Sequence, residues 1–206
     1  MLASTCDAAS QRLIELALTQ LGPAPAPFSF IAMGSQGRKE QTLLTDQDNG
    51  IIFSVDDPRE EEQAQAYFLK LGELVCGGLE QAGFAACRGG VMARNPLWCR
   101  SLSKWKAGFD GWLARSEAQE IMQISIFFDF RGVYGENELV RLLRAHVNAS
   151  LEGDHAVFYH LAQNALSFKP PIRLPGNIYL GSGSSERAGE INLKDAMMPL
   201  VSFARL

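Results

Sequence analysis

Short apolar runs and apolar residues at helical spacing alternate along the first half of the chain. Residues 28–33 and 49–55 are apolar runs bounded by polar residues, which predicts two β-strands. Apolar residues three or four positions apart predict a helix over residues 10–21 and a longer one over residues 58–83. Residues 84–88 then predict a third strand. The predicted order is therefore helix, strand, turn, strand, helix, strand.

The second half of the chain has a mainly helical pattern. Four segments carry apolar residues three or four positions apart. Their bounds are 102–113, 118–130, 138–149 and 155–168. A charged segment just after Gly135 separates the second helix from the third, and we place a domain boundary there. The interpretation is a first domain over residues 1–135 and a helical domain over residues 136–206.

Composition and charge narrow the classes of protein to consider. The chain has 206 residues, 47% of them apolar, which is enough for a substantial core. It has no run of eighteen apolar residues and no export signal, so we expect a cytoplasmic protein without membrane contact. The four cysteines show no zinc-type spacing, which favours reduced thiols. A net charge of −4 argues against a surface for DNA or RNA.

The polar segment between the first two strands carries the candidate chemistry. Asp46 and Asp48 stand at the start of the second strand, where alternate positions project from the same face. Two such carboxylates can share a divalent cation of the Mg²⁺ or Mn²⁺ type, which takes its other ligands from water and phosphates. Gly34 and Ser35 follow the first strand and suit a phosphate-binding turn. Arg38 supplies a guanidinium group close by.

Each of these features has a simpler interpretation when it is taken alone. A Gly-Ser dipeptide is most often only a turn, Asp46 can cap a turn, and Asp48 can be solvated. The conjunction of a strand, a Gly-Ser turn and two carboxylates at the next strand, within some 15 residues, favours the functional interpretation.

This segment resembles a known active-site signature. Gly34-Ser35 followed by Asp46-x-Asp48 is similar to that of the DNA polymerase β-like nucleotidyltransferase superfamily. Residues 34–40 and 45–49 together resemble its branch of nucleotidyltransferases of the domain-of-unknown-function 294 type, relatives of the uridylyltransferase that modifies the PII protein. Further similar strings lie at residues 89–98, 105–112 and 127–135. The superfamily core has the order of elements predicted above, which implies an α+β fold with a small mixed sheet backed by helices.

The resemblance also implies an activity. A protein of this type moves a nucleoside monophosphate from an NTP to a hydroxyl group of a protein or a small molecule, in signalling. Asp46 and Asp48 would bind Mg²⁺ or Mn²⁺, Gly34 and Ser35 would bind the β- and γ-phosphates, and Arg38 would assist or brace the loop. Such domains are often found behind CBS and cyclic-nucleotide-binding modules, which are the expected partners. The helical domain would be a substrate-binding domain that continues further in the family, so a truncated chain is expected.

The sequence departs from the superfamily pattern at the third carboxylate, which members of the superfamily commonly carry on a later strand. The predicted third strand over residues 84–88 carries no acid. Asp110 and Asp129 are the alternatives, although Asp129 equally suits an ion pair with Arg131. Glu40 is interpreted as the partner that orients Arg38, or as a solvated residue. If no third acid exists, a nucleotide-sensing module that binds NTP without turnover becomes the competing hypothesis.

Other conspicuous residues are given structural interpretations. Trp98, Trp105 and Trp112 lie seven positions apart, near one face of a helix, which favours packing over base stacking. The histidines, His146 among them, have no carboxylate or nucleophile arranged around them in the sequence, so we expect no catalytic histidine.

Overall fold

The computed structural model describes most of the first 152 residues and parts of the remainder. The described residues are 2–41, 46–115, 128–152, 155–167, 172–173, 177–178, 197 and 200–204. The chain divides into two compact units, one made of Met1–Ala114 with Gln123–Glu152 and the other of Arg115–Met122 with Gly153–Leu206. The domain boundary that we placed after Gly135 stays a prediction.

The helices and strands of the first unit alternate along the chain. They are α1 (Leu2–Leu21), β1 (Phe28–Ala32), α2 (Gly34–Gly37), β2 (Asn49–Phe53), a 3-10 turn (Pro58–Glu60), α3 (Glu61–Gln81), β3 (Cys99–Ser101), α4 (Leu102–Arg115), β4 (Arg131–Gly135) and α5 (Asn137–Leu151). The described elements of the second unit are α6 (His155–Ser167) and two short strands, β5 (Ile172–Arg173) and β6 (Asn177–Ile178), which pair antiparallel. Within the described residues, no helix has both the length and the apolar content needed to cross a membrane.

The four strands β1–β4 form a mixed sheet in the order β3-β2-β1-β4. β1 is antiparallel to β2 and to β4, whereas β2 and β3 are parallel. Ala32 at the end of β1 pairs with Asn49 at the start of β2. Residues 33–34 and residue 48 therefore meet where β1 ends and β2 begins, at one end of the central strands. The predicted α+β fold with a small mixed sheet is confirmed.

Helices cover the sheet because its central strands are mostly apolar and buried along their whole length. All five residues of β1 and all five of β2 are buried. Phe28 and Phe53 pack on Phe68 of α3, with ring centroids 5.1 and 5.0 Å apart, and α1 packs beside α3. Helix α5 contacts β1, β2 and β4. Strands that are buried along their whole length require cover on both faces of the sheet. The helices that provide this cover also position the loops at the ends of the central strands.

The three tryptophans of the chain form one cluster in the first unit. Trp98 lies just before β3 and does not share a helix with Trp105 and Trp112, contrary to the helical spacing. Its ring centroid is 5.9 Å from that of Trp105 and 6.2 Å from that of Trp112. The Trp105 indole N–H donates to the carbonyl of Ile51, at 2.9 Å. The predicted packing role is confirmed.

The predicted third strand over residues 84–88 is wrong. This segment is irregular, because Gly89 and Gly90 follow it and the N–H of Gly90 donates to the Cys87 carbonyl in a turn. Gly90 has φ +68°, a conformation that glycine adopts at little cost. The edge of β2 is instead paired with β3, Cys99–Ser101. The helix predicted over residues 118–130 lies mostly outside the described residues, and its described end, 128–130, is not helical.

The other predicted helices of the chain are confirmed. Helix α1 begins earlier than predicted, at Leu2. Helices α3, α4, α5 and α6 cover the predicted segments within a few residues at each end.

Candidate active site

Asp46 and Asp48 point towards one another and towards a third residue, Cys87. One ligand atom from each of these three side chains lies within 4.8 Å of the other two, and all three residues are half-buried. Zn²⁺ holds sulfur at about 2.3 Å and carboxylate oxygen at about 2.0–2.2 Å in a tetrahedral arrangement, so two ligand atoms of one ion lie about 3.5 Å apart. Small side-chain rotations would bring these donors to one divalent ion. The donor set therefore fits a metal ion.

The residues that alternate with the two aspartates fix their direction. Gln47 and Asn49 are 2% and 1% exposed, so they face inward while Asp46 and Asp48 face outward. The N–H of Gln47 donates to the Ala85 carbonyl at 2.9 Å. The N–H of Asn49 donates to the carbonyl of Val91 at 3.1 Å. This extended alternation places both carboxylates on the same side, as the sequence predicted.

The side chains of Gln47 and Asn49 also hold the segment that carries Cys87. The Gln47 amide donates to the carbonyl of Phe84 at 3.1 Å. The Asn49 side-chain oxygen accepts the N–H of Ala93 at 2.8 Å. Residues 84 and 93 are thus tied to the strand that carries the aspartates, and Cys87 lies between them. Sequence reasoning missed these two amides; two polar residues beside a buried strand were the available signal.

The glycine turn stands directly against the aspartates. The N–H of Met33 donates to the Asp48 carbonyl at 2.9 Å, which joins the end of β1 to the start of β2. Gly34 has φ +57°, and a Cβ atom added there would lie 2.9 Å from the Asp48 Oδ2 atom. Helix α2 begins at this glycine. The first N–H groups of a helix have no intrahelical acceptor, so the turn offers amide donors beside the carboxylates.

Ser35 lies in this short helix and is half-buried. Its carbonyl accepts the N–H of Glu40 at 2.9 Å, which closes the loop after α2. The second glycine of the motif has a packing role. A Cβ atom on Gly37 would lie 1.7 Å from the Asp129 carbonyl oxygen, so the backbone of residue 129 crosses α2 at this point.

Arg38 is held between two carboxylates. Its Nε atom donates to Glu40 at 2.7 Å and its Nη1 atom donates to Asp129 at 2.6 Å. Burial acts to lower the pKa of Arg38, but the hydrogen bonds and charges of Glu40 and Asp129 outweigh it, so the pKa of the guanidinium group is raised. The interpretation of Glu40 as the partner that orients Arg38 is confirmed. These contacts favour a bracing role for Arg38, and its contact with phosphate stays a prediction.

The candidates for a third acid have other partners. Asp129 pairs with Arg38, while Arg131 pairs with Asp7 at 2.8 Å, so the ion pair suggested between Asp129 and Arg131 is replaced by two separate pairs. Asp110 pairs with His146 at 2.8 Å. Among the described residues, the group of potential metal ligands has Cys87 as its third member. Burial raises the pKa of the Cys87 thiol, and the adjacent Asp48 carboxylate raises this pKa further.

The cluster of Asp110, His146 and Ser150 contains the residue types of a catalytic triad without its geometry. The Nε2 atom of His146 contacts the Oδ1 atom of Asp110 at 2.8 Å and is 3.5 Å from the Ser150 hydroxyl. The same hydroxyl donates to that Asp110 oxygen at 3.1 Å. A relay needs the carboxylate on one ring nitrogen and the nucleophile on the other. Both partners here meet one nitrogen, so the cluster is structural.

Comparison with known proteins is informative about the family of the chain. A family model described as Putative nucleotidyltransferase DUF294 matches residues 1–119, which is more than half of the chain. A second model, described as Putative nucleotidyltransferase substrate binding domain, matches residues 155–206. Searches of the curated proteins and of the solved structures gave no match.

Proposed function

The chain belongs to the Putative nucleotidyltransferase DUF294 family, and from this membership we propose that it moves a nucleoside monophosphate from an NTP to a hydroxyl group of a protein or a small molecule. One observation carries the proposal: the Asp48 carboxylate lies against Gly34, at the start of a helical turn, with the Asp46 carboxylate beside it. Donors for an anion and ligands for a cation are therefore adjacent, which is the combination that a metal-bound triphosphate needs.

The proposed roles follow from the chemistry of these groups. Asp46 and Asp48 hold Mg²⁺ or Mn²⁺, which, when bound, neutralises charge on the phosphates. The turn at Gly34 and Ser35 donates hydrogen bonds to the β- and γ-phosphates. The acceptor hydroxyl loses its proton to solvent and its oxygen forms a bond to the α-phosphorus, while the bond from that phosphorus to the oxygen bridging it to the β-phosphorus breaks and pyrophosphate leaves. Arg38 keeps α2 fixed against residue 129, so that positioning is preserved.

The setting of the reaction belongs to the same proposal. The four cysteines are all described and all free, which supports a reducing compartment, the cytoplasm. The net charge of −4 opposes DNA or RNA as acceptor. The match of residues 155–206 to a substrate-binding model supports acceptor recognition by this part of the chain. A signalling role, with CBS or cyclic-nucleotide-binding modules as partners, rests on the family resemblance alone.

A second candidate function is nucleotide sensing without turnover. The third member of the ligand group is a thiol, and the Asp129 carboxylate is paired with Arg38. A site without a third carboxylate lacks a group that commonly helps to activate the attacking hydroxyl. Such a protein would bind NTP with metal and release no pyrophosphate.

The decisive experiment supplies each α-labelled NTP with Mg²⁺ and cell lysate as the source of acceptor. Transfer is measured as label on a protein or small molecule, and turnover as pyrophosphate release. The Asp46→Asn and Asp48→Asn variants should lose transfer and keep the circular dichroism spectrum of the wild type. Asp56→Asn is the matched control, because Asp56 is exposed beyond the end of β2. It should retain full transfer.

Each outcome distinguishes the candidates. Metal-dependent NTP binding without labelled product favours the sensor. Full transfer by either Asn variant refutes the assignment of the two aspartates. A protein that binds neither metal nor NTP is neither an enzyme nor a sensor of this kind.

A further inference from the structure

The residue that completes the candidate metal site is a cysteine where a carboxylate is expected. The Sγ atom of Cys87 and one oxygen from each of Asp46 and Asp48 lie within 4.8 Å of one another. All three residues are half-buried, so their side chains are partly accessible to an ion from solvent. The segment that carries Cys87 was predicted to be a strand without an acid, and its actual turn is what aims a sulfur atom at the aspartates.

Three anchors fix the position of this thiol. Ala85 lies two residues before Cys87, and its carbonyl accepts a hydrogen bond from the N–H of Gln47. The carbonyl of Val91 accepts one from the N–H of Asn49. The N–H of Gly90 donates to the carbonyl of Cys87 itself at 3.1 Å. The segment on either side of Cys87 is therefore tied to the backbone of residues 47 and 49, next to Asp46 and Asp48.

We infer that Cys87 is a metal ligand through its thiolate, so that the site accepts a sulfur-binding divalent ion of the Zn²⁺ or Co²⁺ type in addition to Mg²⁺ or Mn²⁺. The inference rests on the proposed function, because it uses the same two aspartates as metal ligands. Mg²⁺ takes oxygen ligands, whereas Zn²⁺ and Co²⁺ take sulfur, nitrogen and oxygen. Two carboxylates and one thiolate leave an open position for a phosphate oxygen or water, as in three-ligand catalytic zinc sites.

The chemistry of binding is balanced without any redox partner. The thiol proton leaves to solvent, and the sulfur lone pair forms the bond to the metal ion. The ion then bears two carboxylates and one thiolate, so the charge of the protein ligands is −3. Three carboxylates, the common set in the superfamily, carry the same charge. The sulfur atom therefore changes which metal ion is preferred without changing the charge of the protein ligands.

The test uses Co²⁺ as a spectroscopic probe on the full chain. A Co²⁺–thiolate bond gives a charge-transfer band in the near ultraviolet. This band should appear in the wild type and in the control Cys6→Ala, whose thiol lies outside the ligand group. It should be absent from Cys87→Ser. Loss of an outer-shell partner already weakens metal binding by about 10- to 100-fold, so Cys87→Ser should weaken Zn²⁺ binding by about tenfold or more.

A second variant guards against a merely structural effect. Cys87→Asp supplies a third oxygen donor, so its preference for Zn²⁺ over Mg²⁺ should fall while total metal binding persists. Bound Zn²⁺ should also protect Cys87 from alkylation by iodoacetamide, and Asp48→Asn should remove this protection.

Failure of the inference can be told apart from failure of the proposed function. If Co²⁺ binds, and binding depends on Asp46 and Asp48 but gives no thiolate band, Cys87 is not a ligand and the nucleotidyl transfer proposal stands. If neither Co²⁺ nor Mg²⁺ binds and no NTP is bound, the proposed function fails and the inference falls with it.

Discussion

A Cβ atom added to Gly34 would stand 2.9 Å from the Oδ2 atom of Asp48, so the glycine turn lies directly against the carboxylate of the second aspartate of the site. Gly34 also has φ +57°, in the left-handed region that favours glycine. The hydrogen bond from the Met33 N–H to the Asp48 carbonyl, at 2.9 Å, keeps the two strands together at this point. Any side chain at residue 34 would therefore displace the Asp48 carboxylate.

The Gly34→Ala variant should lose metal and NTP binding. Its methyl group requires the Asp48 carboxylate to rotate, and the left-handed backbone should cost about 1–2 kcal/mol of stability. Binding is measured by calorimetric titration and stability by urea denaturation. Gly77→Ala is the matched control, because a Cβ atom there meets nothing within 4 Å in helix α3. Unchanged NTP affinity in Gly34→Ala would contradict the close contact.

The Arg38→Ala variant should be destabilised by about 1–3 kcal/mol, because it removes a charged hydrogen-bond donor from each of two carboxylates. The Asp129 side chain is only 11% exposed, so water replaces the lost partner poorly. The measurement is the urea midpoint at constant m-value. Arg59→Ala is the control: the Arg59 side chain is 90% exposed in its pair with Asp57, and its loss should leave the midpoint nearly unchanged. Equal midpoints for the two variants would count against the bracing role.

The Asn49→Ala variant should lower metal affinity as well as stability. Asn49 is 1% exposed, and its side-chain oxygen accepts the N–H of Ala93, so its removal should cost about 1–3 kcal/mol. The turn that carries Cys87 would then be tied less firmly to the aspartates. Gln65→Ala, which removes a 2.8 Å hydrogen bond to the Cys99 carbonyl, is the control. It should lower stability and leave metal affinity unchanged, as measured by titration of each variant.

Stability should fall as the pH rises above about 9. Burial raises the pKa of Cys76 to about 11 and, together with the nearby Cys76, that of Cys99 to about 12, from an ordinary value of 9.0. The unfolded chain therefore loses these protons before the folded protein does. The stabilisation is complete below pH 9 and is lost as the pH rises towards about 11 and about 12. Each thiol should contribute a slope of up to about 1.4 kcal/mol per pH unit.

The measurement for this prediction is the free energy of unfolding in urea at several pH values between 8 and 10.5, under reducing conditions. The Cys99→Ala variant should show a shallower slope, whatever its stability at pH 8. An identical slope in the variant and the wild type would show that the Cys99 thiol does not titrate differently in the folded state.

The alternating direction of the side chains of residues 46–49 could be predicted from the sequence, because side chains along a strand repeat with a period of two. Asp46 and Asp48 fall on one side and Gln47 and Asn49 on the other, and this follows from any extended backbone. The turn at Gly34 was readable in the same way, since glycine after an apolar strand signals a special conformation. Both inferences need only neighbouring residues.

Of the two carboxylates that pair with Arg38, one could be predicted from the sequence. Glu40 is two residues away, and its ion pair with Arg38 could be predicted from the sequence. Asp129 is 91 residues away, and its pairing with Arg38 depends on how closely the backbone of residue 129 crosses α2 at Gly37. From the sequence, Asp129 was a candidate for the third acid or for an ion pair with the nearby Arg131. Separation along the chain carries no information about such a contact.

Local periodicity and short motifs were enough to predict helices α1, α3, α4, α5 and α6, the two central strands, the family resemblance and the shared direction of the two aspartates. Two features depend on contacts distant in the chain: β3 at Cys99–Ser101 pairs with the edge of β2, and residues 84–88 form an irregular segment. Which segment pairs with a strand edge depends on the packing of the whole unit, and so does the position of Cys87 beside Asp46 and Asp48, which local periodicity does not specify.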